Sequence, residues 1–325
     1  MMKCNRCGKR QYTHVKCERF DCLHPDYAEA MKRRFPYEIP PKCLFSLVGG
    51  INAGKTYYLV CLIHELLRPS SANKILLKKM GIINIEMIDP ESENLLDLLI
   101  KFSKDGGMEA TKPDILGFFS LIITMESGKI YELVLFNSSG EKIEDEIIKR
   151  KFYTDSHELK GTVSLCFVNP RKDTGLNRIL ERPNQEVRAN FNFAEHFHKV
   201  MQKVKDNNQY VDTPTAICIS KFDLLLHRRP KDIPPEPFVD ATSKSFFRDI
   251  KTVSKQLRAF LETHSDTIDP IDLDSKFSNS CYFAVAPFGK DENFYWDFRE
   301  PKGLLAPFLW ALQQSQIIND THGVH

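Results

Sequence analysis

Apolar residues along the chain fall into two kinds of run that alternate with each other. Short runs rich in β-branched and aromatic residues predict strands at Cys43–Val48, Ile82–Ile88, Leu116–Glu126, Ile130–Phe136, Gly161–Val168, Thr215–Ser220 and Cys281–Ala286. Between them lie stretches whose apolar residues recur three or four positions apart, which predict helices. Lys55–Leu67 carries Leu59, Leu62, Ile63, Leu66 and Leu67 on such a stripe, and Glu91–Phe102 carries Leu95, Leu98, Leu99 and Phe102. Further helices are expected over about Glu186–Lys205, Phe246–Leu261 and Leu304–Ile317. The Ser127-Gly128-Lys129 turn joins two of the strands into a hairpin. Strands alternating with helices predict an α/β fold with a mostly parallel sheet covered on both faces, and the hairpin adds one antiparallel edge strand.

Residues 43–325 read as one domain with this fold, preceded by a connector over 25–42 and a small module over 1–24. Tyr27–Arg34 has room for two helical turns before Pro36, Pro40 and Pro41 end regular structure. Pro230, Pro234, Pro235 and Pro237 predict an extended surface loop inserted over 227–240. A formal net charge of +2 argues for neither nucleic acid nor an acidic surface as partner. No apolar run reaches the roughly 18 residues of a membrane span, and the opening Met-Met-Lys-Cys-Asn-Arg-Cys is too polar for a secretory signal. A cytoplasmic protein with reduced thiols is expected.

Four of the nine cysteines, Cys4, Cys7, Cys17 and Cys22, lie near the start with spacing C-x2-C-x9-C-x4-C. Two close thiolate pairs suit one tetrahedral Zn²⁺, with His14 and His24 as nearby substitutes, and a closed four-ligand site is structural rather than catalytic. Cys43, Cys61, Cys166, Cys218 and Cys281 sit inside apolar runs and read as small core residues.

The chemistry-bearing stretch follows the first predicted strand. Gly49-Gly50-Ile51-Asn52-Ala53-Gly54-Lys55-Thr56 is G-x-x-x-x-G-K-T, placed after a strand and before a helix. Such a loop curls its backbone N–H groups around phosphate oxygens at the positive end of a helix. Gly49, Asn52, Ala53, Gly54 and Tyr57 belong to the expected nucleotide contacts; Lys55 would reach the β- and γ-phosphates and Thr56 would ligate Mg²⁺. The second hairpin strand ends in Asn137-Ser138-Ser139-Gly140-Glu141. GTP-binding switch proteins carry D-x-x-G there, the Asp holding Mg²⁺ through water and the Gly N–H meeting the γ-phosphate; Asn137 keeps the shape and loses the charge. Glu141 follows the Gly where Ras-like proteins orient the attacking water with Gln. Ser220-Lys221-Phe222-Asp223 matches [NTS]-K-x-D at a strand end. Its Asp accepts the two N–H groups on guanine's edge, which adenine does not offer as a pair. Ala286 and Pro287 close the last strand at the position of a base-contacting loop, and Thr111 is the candidate to cap Mg²⁺ and γ-phosphate ahead of the hairpin.

On Gly49–Thr56, Asn137–Glu141, Ser220–Asp223 and the strand order, residues 43–318 resemble the translation-factor-related, Ras-like P-loop GTPases, and most closely the prokaryotic Double-GTPase family of the second type. The chain holds a single phosphate loop. The resemblance implies a guanine-nucleotide switch using GTP/GDP and Mg²⁺, with an N-terminal zinc ribbon. It also implies a regulatory role in multi-component bacterial signalling or defence, working with separately encoded protein partners. Asn137 departs from the family's Asp, which implies slow hydrolysis. Arg150, Arg171, Lys172 and Arg178 are candidates for an internal arginine or lysine finger. Three other readings stay open: a non-hydrolysing nucleotide-binding scaffold, a P-loop ATPase or kinase, and nucleic-acid binding through Lys3, Arg6, Lys9, Arg10 and Lys16.

Overall fold

The computed structural model describes residues 2–3, 10–11, 33–36, 40–50, 53–87, 118–137, 159–180, 213–226, 232–266, 268–277, 279–287, 289–290, 296–297 and 301–318. Seven strands form one sheet: β1 (Lys42–Gly49), β2 (Ile82–Met87), β3 (Phe118–Met125), β4 (Ile130–Asn137), β5 (Leu159–Val168), β6 (Thr215–Ile219) and β7 (Ser280–Ala284). Their order is β2-β3-β4-β1-β5-β6-β7. β4, β1, β5, β6 and β7 pair in parallel, so their C-terminal ends share one edge of the sheet. β3 is antiparallel to both neighbours. The antiparallel hairpin strand is therefore present as expected, but it lies one position in from the edge. β2 pairs outside it, held by Ile82 and Met87, its two buried residues.

The period of two assigns the strand residues to two cores. Phe45, Leu47, Leu165, Phe167, Cys218 and Phe283 point to one face. Val48, Cys166, Val168, Ile217, Ile219 and Tyr282 point to the other. Both faces of these central strands are buried, which explains their near-continuous apolar runs. On the first face pack α1 (Lys55–Leu67) and α7 (Leu305–Gln314). The Tyr58 hydroxyl ties them by donating to the Leu304 carbonyl at 3.0 Å. On the second face pack α3 (Thr174–Arg178), α4 (Asp223–Leu226), α6 (Pro270–Lys276) and the C-terminal half of α5 (Phe246–His264). α2 (Ser71–Lys79) leans on β2.

α2, α3 and α6 are absent from the sequence reading. Each is short, and its start is set by a polar cap: Ser70 accepts from the Asn73 amide, Asp173 from Leu176, Asp269 from Ile271 and Asp272. The proline-rich segment is more than a surface loop. Pro234 and Pro237 are buried, and Phe238 meets Phe222 edge-on at 6.0 Å. The five cysteines assigned to the core are buried and free. Burial pushes the Cys61 thiol up to about 12 and the Cys281 thiol to about 11, so neither is a nucleophile near neutral pH. Among the described residues no helix is long and apolar enough to cross a membrane. Cys4, Cys7, Cys17, Cys22, His14, His24 and the helices expected at Glu91–Phe102 and Glu186–Lys205 lie outside the described residues.

Gly303 fixes the junction between β7 and α7. It has φ +72°, and a Cβ there would lie 2.2 Å from the Ala284 carbonyl oxygen. That oxygen is backbone, at the buried end of β7. Gly303→Ala is expected to lower the free energy of urea unfolding by about 2 kcal/mol; an unchanged midpoint would contradict the packing described.

Candidate functional site

The phosphate loop leaves β1 at its C-terminal end, the edge where open α/β sheets place ligands. Gly49 has φ +154°, and a Cβ on it would meet the Phe167 carbonyl oxygen at 2.7 Å. A side chain there would push β1 off β5. The chain then turns back, with the Ala53 amide donating to Gly50 O at 3.2 Å. Gly54, at φ +84°, is the N-cap of α1. It supplies no side-chain cap, and the first turn contains no acidic residue. The helix start therefore presents its positive end without a neutralising carboxylate.

Lys55 folds back over this turn. Its Nζ donates to Gly49 O at 2.6 Å and to Gly50 O at 3.0 Å. The side chain is 7% exposed. Loss of water lowers its pKa from 10.5 to about 8. Two carbonyl dipoles replace only part of the lost hydration, so the ammonium is poised to gain from an anion. Thr56 sits half-exposed in the first turn of α1, and Tyr57 packs against the main core.

The second loop leaves β6. Ser220 is fully buried, and its amide and hydroxyl each donate to Val168 O at 2.9 Å. A Cβ on Gly54 would lie 3.4 Å from the Ser220 Cβ, so the two loops touch. Lys221 follows in the left-handed region at φ +51°, uncommon for a side-chain-bearing residue. The turn is pinned by Phe222, which is fully buried, packs edge-on against Phe238 and Phe260, and donates its amide to Val285 O at 3.2 Å. Asp223 opens α4, with its Oδ2 sealed from solvent.

The end of β5 adds a part that the sequence reading missed. Asn169 is buried and its Oδ1 accepts the Arg171 amide at 3.0 Å, shaping the turn that carries Arg171 and Lys172. Its signal is an Asn-Pro pair directly after a strand. Asp173, 1% exposed, locks the turn: it caps α3 and accepts the Ser265 hydroxyl at 2.5 Å. The Lys221 pKa is lowered first by burial, then by Arg171 and to a lesser degree Lys172, while Asp223 opposes the shift. Arg171 and Lys172 therefore stand near the Ser220–Asp223 loop. Arg178, another finger candidate, pairs with Asp266 at 3.0 Å, two residues past the end of α5.

Ala286 is 2% exposed, and its amide donates to Lys302 O at 3.0 Å. That donor is engaged in this conformation. Pro287 seats its carbonyl on α1, accepting from Cys61 Sγ at 3.5 Å. Asn137 ends β4, its backbone in register with Leu47 on β1. Its side chain, with Asn52, Thr111, Gly140, Glu141 and Arg150, lies outside the described residues.

No protein-family model and no curated protein matches the chain. Among solved structures it is similar to the S. cerevisiae Ski7 GTPase-like domain bound to GTP, at 14% identity and TM-score 0.39, over 87% of this chain and 52% of that one. It is similar to Methanosarcina barkeri Roco2 RocCORdC bound to GDP, at 12% identity and TM-score 0.33, over 87% and 51%. The signal recognition particle receptor SRb-GTP/SRX complex from Chaetomium thermophilum follows at 11% identity and TM-score 0.36, over 79% and 94%. The chain thus spans about half the length of the first two.

The desolvated Lys55 makes a signed prediction for the nucleotide-free protein. Between pH 8 and 10.5 the unfolded chain keeps a proton that folded Lys55 has released, so this residue's contribution to stability rises with pH through that window. Below pH 8 it is a standing cost on the order of 1–3 kcal/mol. The buried thiols act oppositely above pH 9, because the folded chain holds protons that the unfolded chain loses. The readout is therefore the difference in urea stability between wild type and Lys55→Met. The variant's advantage near pH 7 is expected to shrink steadily from pH 8 to pH 10.

Proposed function

We propose that the chain is a guanine-nucleotide switch that binds GTP with Mg²⁺ and hydrolyses it slowly. The observation carrying this reading is a juxtaposition. A lysine stripped of water is held on the curled backbone of an uncapped helix start, and the Ser220–Asp223 loop packs against that same turn. Lys55 and the loop amides would hold the β- and γ-phosphates, displacing part of the contact with Gly49 and Gly50. The Thr56 hydroxyl would hold Mg²⁺, with Asn137 serving through a metal-bound water. Bound there, Mg²⁺ neutralises charge on the phosphates. Asp223 would accept the two N–H groups of guanine, with the Lys221 stem along the base, the site's means of rejecting adenine.

Thr111 and Gly140 would sense the γ-phosphate, so that their segments order with GTP and relax after hydrolysis. Without the charge of an Asp at position 137, and with Glu141 beside a triphosphate, turnover by the chain alone would be slow, ~10⁻⁴–10⁻² s⁻¹. Cys4, Cys7, Cys17 and Cys22 would hold a structural Zn²⁺ in a ribbon preceding the domain. Such a switch would serve as the regulatory component of a multi-protein bacterial signalling or defence system in the cytoplasm, working with separately encoded partners, which is the role that the resemblance to the second-type Double-GTPases implies. The identity of Asn137 favours one second reading, a scaffold that binds GTP without hydrolysing it.

Equilibrium binding of labelled GTP and ATP, with and without Mg²⁺, separates these readings when phosphate release is followed in the same samples. GTP is expected to bind at least 100-fold tighter than ATP. Asp223→Ala should remove that preference, and Lys55→Ala should abolish phosphate release. GTP bound with no release supports the scaffold, and Asn137→Asp is then expected to restore turnover. A preference for ATP would overturn the guanine reading.

A further inference from the structure

α5, β7 and α7 leave a groove of about 510 Å³ between them. β7 is the last strand of the sheet, so one of its backbone edges faces this space. Its central donor is not on offer, because the Tyr282 amide donates to Ser254 Oγ at 2.9 Å. An added β-strand would have to displace that buried hydroxyl, so the groove is read through side chains. Ile250, Cys281 and Trp310 make its floor apolar. Its α5 wall is cationic: Lys251, Lys255 and Arg258 recur four and three positions apart, which puts them on one helix face. Arg258 is committed to Asp274 at 2.7 Å and Glu262 at 2.8 Å. Lys255 has no ion-pair partner among the described residues. The α7 wall carries neutral carboxamides, with Gln314 Oε1 accepting from Asn279 Nδ2 at 2.6 Å.

We propose that this groove docks an extended acidic segment of a partner protein, with an apolar side chain on the floor and carboxylates against Lys251 and Lys255. Charge complementarity selects the occupant. Among the described lining residues the cations all lie on the α5 wall, and Asp274 pairs with Arg258 at one end of it. A continuous phosphate chain would meet that carboxylate, whereas a peptide places its acids discretely. Asn279 and Ser280 lie at the start of β7, whereas the nucleotide edge lies at its end, beyond Ala284. The occupant leaves the phosphate loop clear, and the inference does not depend on which nucleotide binds there.

The test is fluorescence anisotropy on the full chain with fluorescein-labelled nonapeptides carrying zero to four glutamates around a central Leu, Phe or Trp. Affinity is expected to rise with glutamate number when the centre is apolar. It should fall at least tenfold in Lys251→Glu/Lys255→Glu and less in Lys251→Ala/Lys255→Ala. Both variants should keep wild-type nucleotide binding and melting behaviour, which separates a lost groove from a lost fold. Failure of every peptide to bind overturns the proposal. So does equal binding by the charge-reversed variant, preference for lysine-substituted peptides, or tighter retention of a single-stranded oligonucleotide at the same site.

Discussion

A single desolvated ammonium organises this molecule. Lys55 lies at the start of a helix, where the first backbone N–H groups already carry positive partial charge. Burial there is unfavourable, and the chain accepts it only by wrapping the Gly49 and Gly50 carbonyls around Nζ. That wrapping needs Gly49 free of a side chain against Phe167 and Gly54 in a left-handed conformation. The loop is thus built around a cation whose charge it satisfies poorly. Such a site has much to gain from a polyphosphate and little from a neutral ligand.

The sheet holds this loop in place. β1 lies between β4 and β5, with its residues buried on both faces. The parallel strands bring the ends of β4, β5 and β6 to the same edge as the phosphate loop. The contact of Gly54 with Ser220 and the hydroxyl bond of Ser220 to Val168 connect three of these ends directly. The Ser220–Asp223 loop is anchored by Phe222, which packs edge-on against Phe260 and against Phe238 of the proline-rich segment. That segment lies far from the phosphate loop in sequence, yet it fixes the turn carrying Lys221 and Asp223.

How much of this was legible in the sequence depended on how strong each periodic signal was. The central strands and α1 were legible because burial on one or both faces forces an unambiguous apolar pattern. β2 buries only its two end residues, so its alternation is weak and its place outside β3 could not be read. α2, α3 and α6 are defined by caps at Ser70, Asp173 and Asp269 rather than by stripes. At the site, spacing identified Gly49, Gly54, Lys55, Ser220 and Asp223 as the residues to watch. It could not show that the turn shaped by Asn169 holds Arg171 near enough to Lys221 to lower its pKa, because that proximity joins two strand ends. Nor could it show that the Ala286 amide is engaged by the Lys302 carbonyl, 16 residues on, in an isolated antiparallel bridge. Prolines at 234 and 237 read as solvated from composition alone, whereas their burial follows from Phe238 finding Phe222.

The central claim is that Lys55, held by two carbonyls alone, lacks the anionic partner that a phosphate would supply. Isothermal titration of the nucleotide-free protein with GTP and Mg²⁺, in two buffers of different ionisation enthalpy, tests it directly. At pH 8.5, just above the lowered pKa of about 8, a substantial fraction of Lys55 is unprotonated, and phosphate contact would restore the proton. The account predicts binding accompanied by net proton uptake at pH 8.5 that diminishes as the pH is brought down to 7. Binding with no uptake at pH 8.5, or no binding at all, would contradict it.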